Sequence, residues 1–142
     1  DTFIIFFYNV KNYAGVDKYP AATGYIFNST GGVGVVNKGI IVGTDSTAAT
    51  IDDYQLLAPI DHGILAGELQ YGAVTFGLPA AGVAISQFRI TRDFANGSPG
   101  AVTVKEIGLY ASQFMTIRDA IPDIVIPVGE TLTVNYQIQA TI

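Results

Sequence analysis

The chain has one histidine, His62, and no cysteine. A hydrolytic triad needs a serine or cysteine nucleophile whose proton is taken by a histidine that an acid orients. No recognisable order of serine, aspartate and His62 occurs, and the composition excludes a cysteine nucleophile. We therefore expect His62 to be a loop residue that hydrogen-bonds nearby backbone. The sequence predicts no catalytic residue and no enzymatic activity.

Four aspartates crowd one segment of the chain: Asp45, Asp52, Asp53 and Asp61. Hard cations bind several oxygen ligands, so a calcium site is the chemistry that such a cluster suggests. Their spacing does not match the D-x-[DN]-x-[DN]-G calcium loop, and nothing marks two of them as a glycosidase pair. Asp53 instead follows Thr50 by three residues, which fits a helix-capping pattern. We interpret the cluster as solvated and capping acids, and predict neither metal nor cofactor.

Three arginines have acidic residues near them in the sequence, and we expect structural salt bridges from Arg89, Arg92 and Arg118 to Asp93, Glu106 or Asp119. Two Asn-x-Ser/Thr triplets begin at Asn28 and Asn96 and match the glycosylation acceptor. Both coincide with clusters of turn-forming residues, so we interpret them as turns.

The 142-residue chain is poor in charge. Its net charge is −5, which argues against nonspecific nucleic-acid binding because that requires a surplus of lysine and arginine. Charged residues make up 13% of the chain, whereas about a quarter is usual in soluble domains. Apolar runs are too short for a membrane-spanning helix. We infer that copies of the same chain cover apolar surface in a permanent assembly; the alternative is a Gly- and Ala-rich β domain.

Alternating patterns predict the strands that must carry these groups. From Thr131 to Ile142, apolar and polar residues alternate without interruption, which is typical of a strand with one buried face. Residues 84–94 alternate similarly, with Phe88, Ile90 and Phe94 on one face. The Asn96-Gly97 turn predicts a hairpin from this strand to the next one, residues 101–111. In that strand the apolar parity shifts, so we predict a β-bulge near Lys105 or Glu106.

The remaining elements are shorter. Residues 67–76 alternate loosely and predict a strand, residues 77–82 predict a loop, and residues 33–36 and 39–42 predict a hairpin or one bent strand. At most one short helical turn is expected, near residues 51–57. The pattern predicts a single all-β domain over residues 1–142, a β-sandwich or jelly-roll-like fold of seven to ten short antiparallel strands.

Residues 1–10 contain an apolar run with β-branched and aromatic side chains on both faces of a predicted strand. Such a strand is either central in its own domain or an N-terminal arm that is donated to the sheet of a neighbouring subunit. The predicted assembly residues are Phe3, Ile4, Ile5, Phe6, Phe7 and Tyr8.

Several fragments, in this order, resemble tailed-phage virion proteins: Gly39–Thr44, Ile51–Leu56, Ile90–Asn96, Val102–Tyr110 with its Lys-Glu-Ile-Gly-Leu-Tyr sequence, Ile117–Asp119 and Ile126–Val134. The resemblance implies a non-enzymatic β-sandwich component of a virion, in a tail, fibre or capsid-decoration role. It carries over no catalytic residue, and it does not include the N-terminal 38 residues.

The expected function is therefore a structural subunit of a virion or similar extracellular assembly, which binds copies of itself and other virion or filament proteins. One alternative is a subunit of a secreted cellular filament that polymerises by strand donation. Another is a carbohydrate- or receptor-binding sandwich, in which tyrosines stack on sugars; the candidates are Tyr8, Tyr13, Tyr19 and Tyr25.

Overall fold

The computed structural model describes residues 10–18, 28–82, 84–112 and 114–141. Within these ranges there are ten strands and no helix. The strands are β1 (Val10–Lys11), β2 (Asp17–Lys18), β3 (Gly39–Gly43), β4 (Gln70–Tyr71), β5 (Thr75–Phe76), β6 (Ala80–Ala81), β7 (Ile85–Ala95), β8 (Val102–Ala111), β9 (Phe114–Ile126) and β10 (Thr131–Thr141). The predicted assembly residues Phe3 to Tyr8 lie outside the described residues.

Two antiparallel sheets form the body of the fold. In the first, β7 pairs with β10 along one edge and with β4, β5 and β6 along the other. In the second, β8 lies between β3 and β9. The strands β1 and β2 form a separate two-stranded ribbon. The predicted all-β sandwich is confirmed, although β7 to β10 are long strands rather than short ones.

The core lies between the sheets and draws on both of them. Ile90 and Phe94 of β7 are fully buried, and they belong to one apolar cluster with Ile40 of β3 and Leu109 of β8. The chain between β3 and β4 adds Leu56, which is also fully buried. In the described part of the chain, no helix has the length and apolar content needed to traverse a membrane.

The pairing of β10 with β7 shows the alternation that the sequence predicts. Eleven consecutive residue pairs are in register, from Thr131 opposite Ala95 to Thr141 opposite Ile85. Along β10, Val134 is buried and its odd-numbered neighbours are exposed. A single polar face and a single apolar face therefore fix the register, because a one-residue slip would exchange them.

The predicted irregularity near Lys105 is present, but the extra residues lie on the partner strand. Val104 pairs with Ile124 and Glu106 with Ala120, so Lys105 alone lies opposite residues 121–123 of β9. The shift of apolar parity on β8 has a different cause from the predicted bulge. Both faces of β8 are covered, because Glu106 and Tyr110 accept from the backbone of residues 56–58, and Leu109, of opposite parity, is also buried in the core.

The hairpin predicted at Asn96-Gly97 is wrong. The strand before it, β7, belongs to the first sheet, and the strand after it, β8, belongs to the second, so the connection crosses between sheets. Asn96 is 1% exposed, and its side-chain amide donates to the carbonyls of Gly100 at 2.9 Å and Ile126 at 2.8 Å. These bonds direct the chain across the core, which local turn propensity does not reveal.

Three smaller differences concern the loops. The strand predicted over residues 67–76 is divided into β4 and β5, and the loop predicted over 77–82 contains β6. Residues 33–36 form a turn and bend before β3, so they are not a paired strand. At residues 51–57 the capping contact forms, because the backbone N–H of Thr50 donates to Asp53 Oδ2 at 2.8 Å. The chain then continues without a helix.

Candidate functional site

Arg92 is a cation placed on the apolar face of β7. It follows Ile90 and precedes Phe94 at two-residue spacing, and its exposed fraction is only 1%. Its guanidinium uses all five N–H donors on backbone carbonyls. Nε donates to Gly72 at 2.8 Å, and the two terminal nitrogens donate to the oxygens of Gly32, Val35, Lys38 and Ile40. Arg92 therefore ties the first sheet to β3 and to the loop before β3.

The surroundings of Arg92 keep it ordered and charged. Its guanidinium carbon lies 4.9 Å from the ring centre of Tyr71, in cation–π geometry. Burial lowers the pKa of Arg92 to about 10, so it remains a cation at neutral pH. The salt bridge predicted for Arg92 does not form, because five backbone carbonyls, rather than an acidic side chain, accept hydrogen bonds from its guanidinium.

Tyr71 contacts backbone carbonyls of β3 and of the chain beside it. Its hydroxyl donates to the carbonyl of Ile60 at 2.7 Å and lies 3.3 Å from that of Val42. Burial raises the pKa of Tyr71. His62 Nδ1 accepts from the backbone N–H of Tyr71 at 2.9 Å, so the predicted loop histidine bonded to backbone is confirmed.

A second buried cluster joins β8, β9 and the loop at residues 44–58. Arg118 Nε donates to Glu106 Oε2 at 2.9 Å, and its Nη1 donates to Asp53 Oδ2 at 2.9 Å. The side chain of Arg118 is 2% exposed and that of Glu106 is fully buried. Glu106 also accepts from the backbone N–H groups of Leu57 and Ala58. The salt bridge expected between Arg118 and Glu106 is confirmed.

The charges of this cluster stabilise one another. The pKa of Asp53 is lowered first by the hydrogen bond from the Thr50 backbone and further by Arg118. The pKa of Asp45 is lowered, chiefly by its hydrogen bonds from Thr47. Burial acts to lower the pKa of Arg118, but the bonds to Glu106 and Asp53 outweigh it and raise that pKa. Asp45, Asp53 and Arg118 are therefore charged at neutral pH.

The 44–58 loop packs against β8 at a position that needs glycine. The hydroxyl oxygen of Tyr110 accepts a hydrogen bond from the backbone N–H of Leu56 at 2.8 Å. Leu56 covers Gly108, where an added Cβ would lie 2.9 Å from Leu56 Cδ2. Side chains larger than hydrogen at residue 108 would therefore push the loop away from the sheet.

The polar groups of both clusters bond to other parts of the protein. Each side-chain nitrogen of Arg92 and Arg118 and each carboxylate oxygen of Glu106 is hydrogen-bonded to a protein atom. Of the aspartates considered for calcium, Asp53 pairs with Arg118 and Asp45 accepts from Thr47. The described residues contain no group of three or more His, Cys, Asp or Glu side chains arranged to hold a metal ion.

The opposite side of the sandwich is open. In the described structure, β9 and β10 are the outermost strands of their sheets, and each has one edge without a paired strand. The two edges lie on the same side, because only residues 127–130 separate β9 from β10 and because Tyr136 donates to Asp119 Oδ2 at 3.0 Å. Between these points, half-buried apolar side chains of both strands reach the surface: Met115, Ile121, Leu132, Tyr136 and Ile138.

One end of the open side forms a shallow apolar groove. It is lined by residues 124–127 of β9 and the following turn, and by Glu130, Thr131 and Leu132. Val125 is 57% exposed and Val128, in the turn, is 56% exposed. An apolar rim beside two unpaired strand edges is able to bind another β-strand through backbone hydrogen bonds and side-chain contacts.

The candidate sugar-binding tyrosines are not brought together by the described structure. Tyr13 is partly exposed in the turn between β1 and β2, and Tyr8, Tyr19 and Tyr25 lie outside the described residues. Of the two asparagines that begin glycosylation triplets, Asn96 is buried and hydrogen-bonded in the connection between the sheets, whereas Asn28 is exposed.

Sequence reasoning missed the buried position of Arg92, although a signal was available. Arg92 has the same parity as Ile90 and Phe94, so period-two alternation places it on the inner face. Glu106 shares the parity of Val104 and Gly108 in the same way. A charged residue at an apolar position of a strand indicates a buried polar cluster.

Searches against family models, curated proteins and solved structures found no match to this chain.

Proposed function

We propose that this chain is a non-enzymatic structural subunit that associates with copies of itself, within a virion or a comparable extracellular assembly. The observation that carries the proposal is the open side of the sandwich. Two long strand edges lie there, unpaired among the described residues, next to half-buried apolar side chains. Such edges are templates for pairing with another chain.

The sparse charge of the chain supports the same conclusion. Only 13% of residues are charged, so few ionic side chains are available to keep neighbouring molecules apart. Apolar surface removed from water by association contributes roughly 25 cal/mol per Å², before the entropy of association and side-chain ordering is subtracted. A modest apolar contact is therefore insufficient alone, and backbone pairing at an edge would supplement it.

The virion context comes from the fragments that resemble tailed-phage proteins. Arg92, Glu106, Arg118 and Asp53 all fall within those fragments. Arg92 ties the two sheets together, and the other three tie β8 and β9 to the 44–58 loop. A resemblance carried by such residues favours a shared fold and thus a structural role. A secreted filament subunit, polymerised by strand donation, is the alternative within the same structural class.

Sedimentation velocity over a wide range of protein concentration, with negative-stain imaging of the same samples, tests the proposal. We expect species larger than one chain whose fraction rises with concentration and persists in high salt, because apolar contact and backbone pairing are weakly screened. A single compact copy at every concentration would overturn the proposal. Association that disappears in high salt would also contradict it, since ion pairs would then be the cause.

A further inference from the structure

The two edges of the open side differ in how well they are protected against pairing. Natural sheets protect an edge with charges, proline or a bulge. The β9 edge has all three: Pro122 and Asp123 lie within the irregular segment 121–123, and Asp119 lies just before it. The β10 edge has none. Its eleven residues include no charged residue and no proline, and its pairing with β7 is unbroken.

We propose that the β10 edge pairs antiparallel with β10 of a second copy, so that the first sheet continues across a two-fold axis. This inference rests on the proposed self-association and names the surface that performs it. Two-fold pairing uses the same patch on both molecules, so the patch must be complementary to itself.

The sequence of β10 meets that requirement. In an antiparallel pair centred on Tyr136, each residue before the centre lies opposite one equally far after it. Apolar Val134 then lies opposite Ile138, and polar Asn135 lies opposite Gln137. Directly opposed residues point to the same face, so the apolar faces of both copies remain on the core side. No like charges meet, because the strand has no charge.

The outer face of β10 is already ordered for such a contact. Asn135 accepts from Thr91 Oγ1 at 2.6 Å, and Gln137 donates to Gln87 at 2.9 Å. Thr133 donates to Asp93 Oδ1 at 2.6 Å. These hydrogen bonds between β10 and β7 hold the polar side chains in place on the sheet surface. Little side-chain entropy would therefore be lost when a second strand pairs with β10.

The occupant we infer is a second copy rather than an unrelated protein, because self-complementarity explains the absence of charge along the whole edge. The apolar groove at residues 124–132 adds contact area on the same side. A two-fold pair closes on itself, so growth into larger particles would use other surfaces of the molecule.

Paired lysines test the inference. In the variant Asn135→Lys/Gln137→Lys, each new lysine lies opposite a new lysine of the second copy, and like charges directly opposed destabilise a strand pair. We expect the dissociation constant of the dimer, measured by sedimentation, to rise about tenfold. The control Ala48→Lys/Ala49→Lys adds the same charge on the exposed 44–58 loop and should leave association unchanged. Thermal melts of both variants verify that the monomers remain folded.

Disulfide trapping gives an independent reading, because the chain has no cysteine of its own. Mixed Asn135→Cys and Gln137→Cys proteins should form a heterodimeric disulfide on oxidation, in preference to either homodimer, since the register opposes those two residues. Self-association that is unchanged by paired lysines, or random disulfide formation, would overturn the β10 inference and leave the proposed function intact. Absence of association in the unmodified chain would overturn both.

Discussion

The two sides of the sandwich are built in opposite ways. On the side of β3, every residue of the edge strand is buried, and its outward backbone groups are satisfied by Arg92, by Tyr71 and by the chain at residues 58–60. On the side of β9 and β10, the described structure leaves two strand edges unpaired, and the bond from Tyr136 to Asp119 spans the gap.

This difference shows where the fold obtains its stability and where it remains available to partners. Buried polar atoms need hydrogen bonds, and a cluster that satisfies all of them makes one arrangement strongly preferred. The closed side therefore determines how the sheets pack. The open side can be altered with small effects on folding, so changes there should act mainly on association.

The largest effect is expected from Arg92→Met, which leaves five carbonyls without their donor. Hydrogen bonds to charged groups contribute about 1.5–3 kcal/mol each and are not additive, so we expect a loss of about 5 kcal/mol in the free energy of unfolding. Urea denaturation monitored by circular dichroism measures it.

Arg92→Lys is the matched variant. It retains the charge but offers three donors without the planar fork, so it should recover only part of the lost stability. Full recovery would show that charge alone, and not the carbonyl contacts, closes this side. An unchanged stability of Arg92→Met would refute the role assigned to the closed side.

An intermediate effect is expected from Arg118→Met, because it leaves Glu106 buried without its cation. Breaking a buried pair in this way typically costs about 3–5 kcal/mol, and we expect the lower value here since the backbone N–H groups of Leu57 and Ala58 remain. Arg89→Met is the control: Arg89 is exposed and bonds only weakly to Gln137 at 3.4 Å, so its unfolding free energy should barely change.

The same cluster predicts an acid dependence with a definite sign. The pKa of Asp53 is lower in the folded state, so its contribution is complete above its usual value of about 3.9 and is lost as the pH falls through the folded value. The stability of Asp53→Asn should therefore approach that of the unmodified chain as the pH falls below 4. A difference that stays constant down to the acid transition would contradict this pairing.

The fold was predictable where periodicity is local, and less so where long-range contacts decide the outcome. The alternation of β7 and β10 identifies their inner faces, because one face of each is apolar. Alternation does not show that β8, the strand after Asn96, belongs to the second sheet. Its crossover depends on bonds from Asn96 to Ile126, thirty residues away.

The buried clusters illustrate the same limit. Sequence proximity suggested acids as partners for Arg92, but its carbonyl partners carry no signature in residue type. Arg118 could be paired with Glu106 because the two side chains carry opposite charges and lie near each other in the sequence. The covering of β8 by the 44–58 loop was hidden, since a loop without periodicity gives no indication of where it packs.

The smallest effect is expected at the open side, from Tyr136→Phe. The variant removes the hydroxyl that bonds to Asp119, and because Asp119 is exposed, water can replace the hydroxyl. We expect a loss of about 0.5 kcal/mol in dilute protein, at the low end for a hydrogen bond. Tyr13→Phe, in the β1–β2 turn, is the control and should have no effect on unfolding.

The same substitution also tests whether a second copy covers the open side. Burial raises the pKa of Tyr136. The contribution of its hydroxyl to the free energy of unfolding is therefore complete below the usual tyrosine pKa of about 10, and it is lost as the pH rises through the pKa of the folded state. If a second copy covers the open side, water can no longer reach Asp119, and the cost of Tyr136→Phe should increase with protein concentration. A cost that is equal in dilute and concentrated protein would place the contact between copies elsewhere on the molecule.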